Sequence, residues 1–326
     1  MPTTPQLPRG ANLSLYEKTQ GVDFKSAATG DYAACNAYSF GLKAVRPPVK
    51  DPLLGLVNNN TRDETTMADG LTSAAGPIVV PLDCSQLGTW LFLALGAASS
   101  SGAPSDYSHV FTSGKTALPF KTIERGLVGP SAAQIRQFIG VMVNKFSIQA
   151  SRKEGYARLS LDTLFYDEVN LGAASGAGTP SALPARDPLA ETLGVYKMNT
   201  VIADLMECNL TFSNDLQERS ELGDHRMGGY DVGDFMLESG SIRLRYRTDT
   251  LDTAAIAGTE HAGELLYQKT SVRSLSLAMP LVRLERAAEE ISNRGVIEQT
   301  FKLHARQNES NPLLTATLKG ALASYA

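Results

Sequence analysis

The stretch Val141-Met-Val-Asn-Lys-Phe-Ser-Ile-Gln-Ala150, Ser151-Arg-Lys-Glu-Gly155, Tyr156-Ala-Arg-Leu-Ser-Leu-Asp-Thr-Leu-Phe-Tyr166 decides how the chain is read. In its last part Ala157, Leu159, Leu161, Thr163 and Phe165 alternate with Arg158, Ser160 and Asp162, the two-residue period of a strand with one buried face. The first part is also apolar at alternate positions, but Val141 and Val143 share one parity and Phe146, Ile148 and Ala150 the other. Both sets reach a common core only if one residue is inserted near Asn144-Lys145, which predicts a β-bulge there. The polar residues Ser151 to Gly155 form a turn, so Gly140 to Glu168 reads as one long β-hairpin.

Outward from the hairpin the same alternation recurs. Toward the C-terminus it is carried by Met206, Cys208, Leu210 and Phe212, by Ile242, Leu244 and Tyr246, and by Leu275, Leu277 and Met279 with Pro280 as a stop. Ile297, Gln299, Phe301, Leu303 and Ala305 form another such face, and Leu313 to Ala323 a weaker strand. Toward the N-terminus, Ala37 to Val45, Ile78 to Leu82, His109 to Thr112 and Phe120 to Arg125 read as strands, with Ala97 to Pro104 a small-residue loop. Leu87, Trp90, Leu91 and Leu95 share a helical stripe that Asp83 or Ser85 would cap and Gly96 would end. Strands dominate and no βα alternation appears, so the expected fold is mainly β, an antiparallel sandwich or barrel with one or two short flanking helices. Residues 1–35, punctuated by Pro, Thr and Gly, read as an N-terminal arm, and 36–326 as the β-rich domain. Within the latter, 171–184 is a Gly-, Ala- and Pro-rich linker or surface loop, with room for a second lobe from about residue 190.

At 326 residues, 43% apolar and 20% charged, the chain is an ordinary globular one. A net charge of -4 and a pI near 5.7 lack the basic footprint of a protein that grips nucleic acid. Cys35, Cys84 and Cys208 are odd in number and far apart, so free thiols in a reducing compartment are expected. The first residues carry no apolar signal core, and the longest apolar run, Trp90 to Leu95, is too short for a membrane span. The expectation is a soluble protein made and kept inside a cell, with no membrane insertion.

No pattern for catalysis emerges. His109, His225, His261 and His304 are scattered, and a polar loop is the simpler reading of Asp224-His225 than half a metal site. Asp162, Asp167, Glu168 and Glu124 could be paired carboxylates of a glycosidase, but charges on a solvent-facing strand are far commoner. Gly228-Gly229 with Asp231 and Gly233 reads as a flexible loop and not a phosphate cradle, because no strand-to-helix step follows. The expectation is no enzyme, no cofactor and no metal. Arg243, Arg245 and Arg247 form a stripe on one strand face, either solvated or meeting carboxylates of another subunit.

An ordered set of segments then stands out. It comprises Gly76-Pro-Ile-Val-Val-Pro-Leu-Asp83, Leu87 to Gly96 and His109-Val-Phe-Thr112, then Val201 to Leu216 ending in Thr-Phe-Ser-Asn-Asp-Leu. The loop Leu222 to Gly233, the strand Gly240 to Arg247, Leu275 to Arg286 with Met-Pro-Leu-Val-Arg-Leu-Glu, and Gly295 to Ala305 complete it. Over roughly residues 70–305 this order resembles the tail tube proteins of long-tailed bacteriophages. The resemblance implies a β-sandwich with a flanking helix, assembling into rings, usually six-fold, that stack into a hollow tube. Gly140 to Tyr166 and Met206 to Tyr246 would contribute strands to a barrel around the lumen, which removes open sheet edges. Loops and arms would reach the next ring through a head-to-tail contact that need not close. Phe146, Ile148, Arg158, Asp162, Arg243, Arg245 and Arg247 are the candidate subunit-interface or lumen residues. Implied partners are further copies of the chain, tape measure and tail terminator proteins, and duplex DNA passing unread to the host. Implied locations are the host cytoplasm during assembly and then the virion tail. Competing readings are a tail terminator or secretion-tube subunit, which would form single rings, and a carbohydrate-binding or carbohydrate-active sandwich, which the single Trp disfavours.

Overall fold

A computed structural model describes residues 13–21, 23–51, 67–128, 133–151, 155–199, 201–202, 205–245, 250–286 and 298–325. The hairpin is its centre. Strand Ala133–Ser151 turns back into Arg158–Leu164 in antiparallel register, with Met142 opposite Leu164, Val143 opposite Thr163 and Lys145 opposite Asp162. The register slips between Val143 and Lys145, so Asn144 is the inserted residue and Val141, Val143, Phe146 and Ile148 are all buried. The parity conflict in the sequence is thus resolved by the predicted bulge.

The long strand belongs to two layers. Its first half pairs with Lys121–Val128 and Asp167–Gly172, and its second half with Arg158–Leu164 and Leu205–Ser213. The crossing point is Gly140, at φ +70°, where an added Cβ would lie 2.8 Å from the Phe24 ring. A bend plus a bulge is how one strand serves two sheets. Leu13–Thr19 extends the first layer by pairing with Lys121–Val128. The second layer continues from Leu205–Ser213 through Met236–Arg245, Glu298–Arg306, Arg273–Arg286 and Glu260–Thr270 to Gly194–Met198. There it curls back on itself, and the Tyr267 hydroxyl donates to the Gln149 carbonyl at 2.9 Å. All these ladders are antiparallel, and the fold is mainly β, as expected from the alternation.

Helix Leu87–Leu95 is apolar all round and packs on Ala133–Ser151, Asp106–Thr112 and Thr315–Gly320. A helix without a polar face must be enclosed. No side chain caps its start; Asp83 instead accepts from the backbone N–H and hydroxyl of Ser85 and from the Asp187 N–H. Gly96 closes it at φ +86°, as expected. A second helix, Thr250–Ala257, has no buried residue and no apolar stripe that would have announced it.

Three expectations are corrected, and residues 171–184, a surface loop, are stitched down: Glu124, itself buried, accepts from the Ser175 hydroxyl and the Gly176 N–H, Asp31 accepts the Thr179 N–H, and Ser181 exchanges backbone bonds with Tyr32 and Ala34. Small residues there allow close backbone approach, which composition alone does not distinguish from a linker. Pro280 does not stop its strand, because it lies in a bulge where Pro280 and Leu281 together oppose Ala262, which bonds Asn199 instead, and no ladder N–H is needed. The presumed loops at Ala97 to Pro104 and Gly228 to Gly233 contain strands Ser99–Ala103 and Met227–Asp231, paired with Asp106–Thr112 and Gln217–Ser220. Lastly, the span read as an arm is sheet from Leu13; residues 1–12 lie outside the described ones. Most buried apolar residues from Leu15 to Tyr325 form one contiguous core, drawn from both sides of 171–190, with Leu118, Met142 and Leu216 in a small second cluster.

Candidate assembly surface

The outward side of the second layer follows from register. Once the bulge has flipped the parity, Lys145, Ser147 and Gln149 point away from the core. Ser147 stands opposite Ser160 on one side and Thr211 on the other, and Gln149 opposite Asn209. Asn209 and Glu207 face Ser241 and Arg243, which face Lys302 and Thr300, and Lys302 faces Glu285. The result is one continuous face of hydroxyls, amides and charges across strands that lie far apart in sequence.

Many of its charges are paired within the chain. Arg243 bridges two strands, donating to Glu207 at 2.9 Å and to Glu298 at 3.3 Å. Glu207 also accepts from Gln149 at 2.6 Å and Asn209 at 3.1 Å. Lys145 pairs with Glu238, the extra residue of a bulge in Met236–Arg245. Glu285 sits between His304 at 2.5 Å and Lys302 at 3.8 Å, and the imidazole bond holds its carboxyl below the usual range. Exposed pairs of this kind add little stability. Their effect is to leave the face with cations and anions interleaved and little net field.

The structure brings Arg158, Asp162, Arg243 and Arg245 onto this face. Phe146 and Ile148 are not on it: they are 1% and 2% exposed, on the opposite side of the bulged strand, with Phe146 stacked on Phe212. They hold the core and cannot touch a neighbour, because apolar side chains at that parity are already enclosed. Arg247 lies outside the described residues. Lys145, Glu207, Glu238 and Glu298 were not singled out by sequence; the available signal was the polar half of each alternating strand, which register alone assembles.

Three of the four carboxylates considered for glycoside chemistry are engaged elsewhere, and the fourth, Asp162, is exposed on the polar face. Asp167 pairs with Arg226, Glu168 with Arg136 and the Ala44 N–H, and Glu124 holds the 175–176 loop. Among the described residues no cluster of His, Cys, Asp and Glu could hold a metal, and no helix is long and apolar enough to cross a membrane. The three cysteines are free and buried, and burial pushes the thiols of Cys84 and Cys208 up to about 12. Such thiols are inert as nucleophiles at neutral pH.

The family model of the phage tail tube protein matches residues 11–305, nearly the whole chain and both layers of the sandwich. The chain belongs to the phage tail tube protein family. It is therefore a structural component of the virion tail, and a tail tube protein is built to associate with others into a tube. A search of curated proteins finds no match.

Proposed function

We propose that the chain self-assembles into rings, six-fold as the family resemblance implies, which stack head to tail into the conduit for DNA ejection. The polar face of the second layer lines the lumen. The observation that carries this reading is the interleaving of cations and anions on that face, with Arg243 spanning Glu207 and Glu298 and Lys145 held by Glu238. Duplex DNA presents one negative charge per about 1.7 Å of axis. Unpaired cations along a lumen would bind it by counterion release, and a run of unpaired anions would oppose its entry. Interleaved charges and hydroxyls do neither, so DNA slides without being read. Tape measure and tail terminator proteins are the expected partners along and at the end of the tube, and the host cytoplasm is the expected place of assembly.

Negative-stain electron microscopy of the purified protein at rising concentration, with sedimentation alongside, tests the reading. Rings or hollow filaments are the expected result. A compact monomer at every concentration, unmoved by preformed tail fragments that would seed a tube, overturns it.

A further inference from the structure

Arg125, on strand Lys121–Val128, stands directly opposite Arg136 on the neighbouring strand. Like charges in facing positions destabilise a sheet unless something neutralises them. Glu168 makes its hydrogen bonds elsewhere than to Arg125, which feels that carboxylate only through space: one oxygen accepts from Arg136 and the other accepts the Ala44 N–H at 2.9 Å. Arg125 lies instead against two aromatic rings, its guanidinium carbon 5.8 Å from the Phe40 centroid and 5.6 Å from that of Phe138. Its Nε is buried without a hydrogen-bond partner, and burial pulls the group down from the usual guanidinium value. A cation held partly out of water with a donor unanswered is costly to the isolated chain. Held against two rings that themselves touch edge to face at 5.3 Å, it is also preorganised, with a planar fork that matches a carboxylate in two-point contact. Its own strand carries an exposed apolar side chain two residues on, Leu127 at 41%. An arginine backed by aromatic rings and flanked by apolar surface has the composition of the energetic centre of a protein interface.

We propose that Arg125 seats a carboxylate of a second copy of this chain. The inference rests on the tube reading above, which supplies the second copy. A carboxylate is favoured over a DNA phosphate on two grounds. The chain carries an excess of acidic groups, with a net charge of -4, to present to its neighbour. Arg125 also belongs to the first layer, not to the face proposed to meet DNA.

The test compares full-length wild type with Arg125→Met and Arg125→Lys by sedimentation and negative-stain microscopy, with thermal melting of each. Methionine keeps an apolar stem against the rings and removes the charge. R125M should melt no lower than wild type, yet need about tenfold or more protein to assemble. R125K keeps the charge without the fork and should fall between them. R125M and R125K assembling at the wild-type concentration overturns the inference and leaves the tube reading standing. Unchanged assembly with altered retention of duplex DNA assigns Arg125 to phosphate and equally overturns it. A wild type that never assembles removes the tube reading itself, and this proposal with it.

Discussion

Asn214 joins three elements that are remote in sequence. Its side-chain amide donates to the carbonyls of Val143 at 2.9 Å and of Ala94 at 3.0 Å, and its N–H donates to the Asn144 carbonyl at 2.8 Å. The Asn144 side chain in turn accepts the Leu216 N–H at 3.0 Å. The backbone groups freed by the bulge, and one orphan carbonyl from the last turn of helix Leu87–Leu95, are satisfied by the Ser-Asn-Asp-Leu turn. Replacing Asn214 with Ala strands two buried acceptors, at about 1–3 kcal/mol each, so N214A should lose roughly 2–6 kcal/mol in urea unfolding. His261 makes a second prediction at this scale. It is buried, its Nε2 has no partner, and burial lowers its pKa from 6.5. As pH falls below about 6.5 the unfolded chain takes up a proton that the folded chain resists, so stability falls through the window between the two values. Melting temperatures at pH 7.5 and 5.5 should show a smaller drop in His261→Leu than in wild type.

At the scale of elements, the long strand Ala133–Ser151 shows how one bulge sets which residues do what. Because Asn144 is inserted, Phe146 packs on Phe212 in the core while Ser147 and Arg158 face outward. Phe146→Ala should cost about 3–5 kcal/mol, and Arg158→Ala within about 0.5 kcal/mol, both read from denaturant midpoints at unchanged slope. A comparable penalty for R158A would mean the register described here is wrong. The same strand passes close to a buried ion pair, Lys121 with Glu17 at 2.6 Å, beneath the Phe92 ring. Nothing in the alternation of either strand distinguishes those two residues from solvent-facing ones. Only the helix that covers them makes them interior.

For the molecule as a whole, the interleaving of charge matters more than the net charge of -4. Glu207→Gln with Glu298→Gln would free Arg243 from both of its carboxylates. Each cation released toward DNA steepens the salt dependence of binding by about 0.9 in the logarithmic slope. The doubly substituted protein should therefore retain duplex DNA at low salt where wild type does not, with the difference erased above about 0.5 M salt by screening. Fluorescence anisotropy of a labelled duplex against assembled protein measures this, and equal retention by both would remove the proposed link between pairing and passage.

The sequence by itself determined the hairpin, the bulge at Asn144, the buried helix and the mainly β class, because each is written in local periodicity and in which residues a buried face tolerates. It also carried the ordered segments by which the family was recognised. What tertiary structure alone decided depends on pairing between residues far apart: the burial of Phe146 and Ile148 and the anchoring of 171–184 by Glu124 and Asp31. The passage of Pro280 through a strand, the assembly of the polar face and the opposition of Arg125 to Arg136 belong with them. A strand's alternation says which side chains share a side, but only its register says what they meet there.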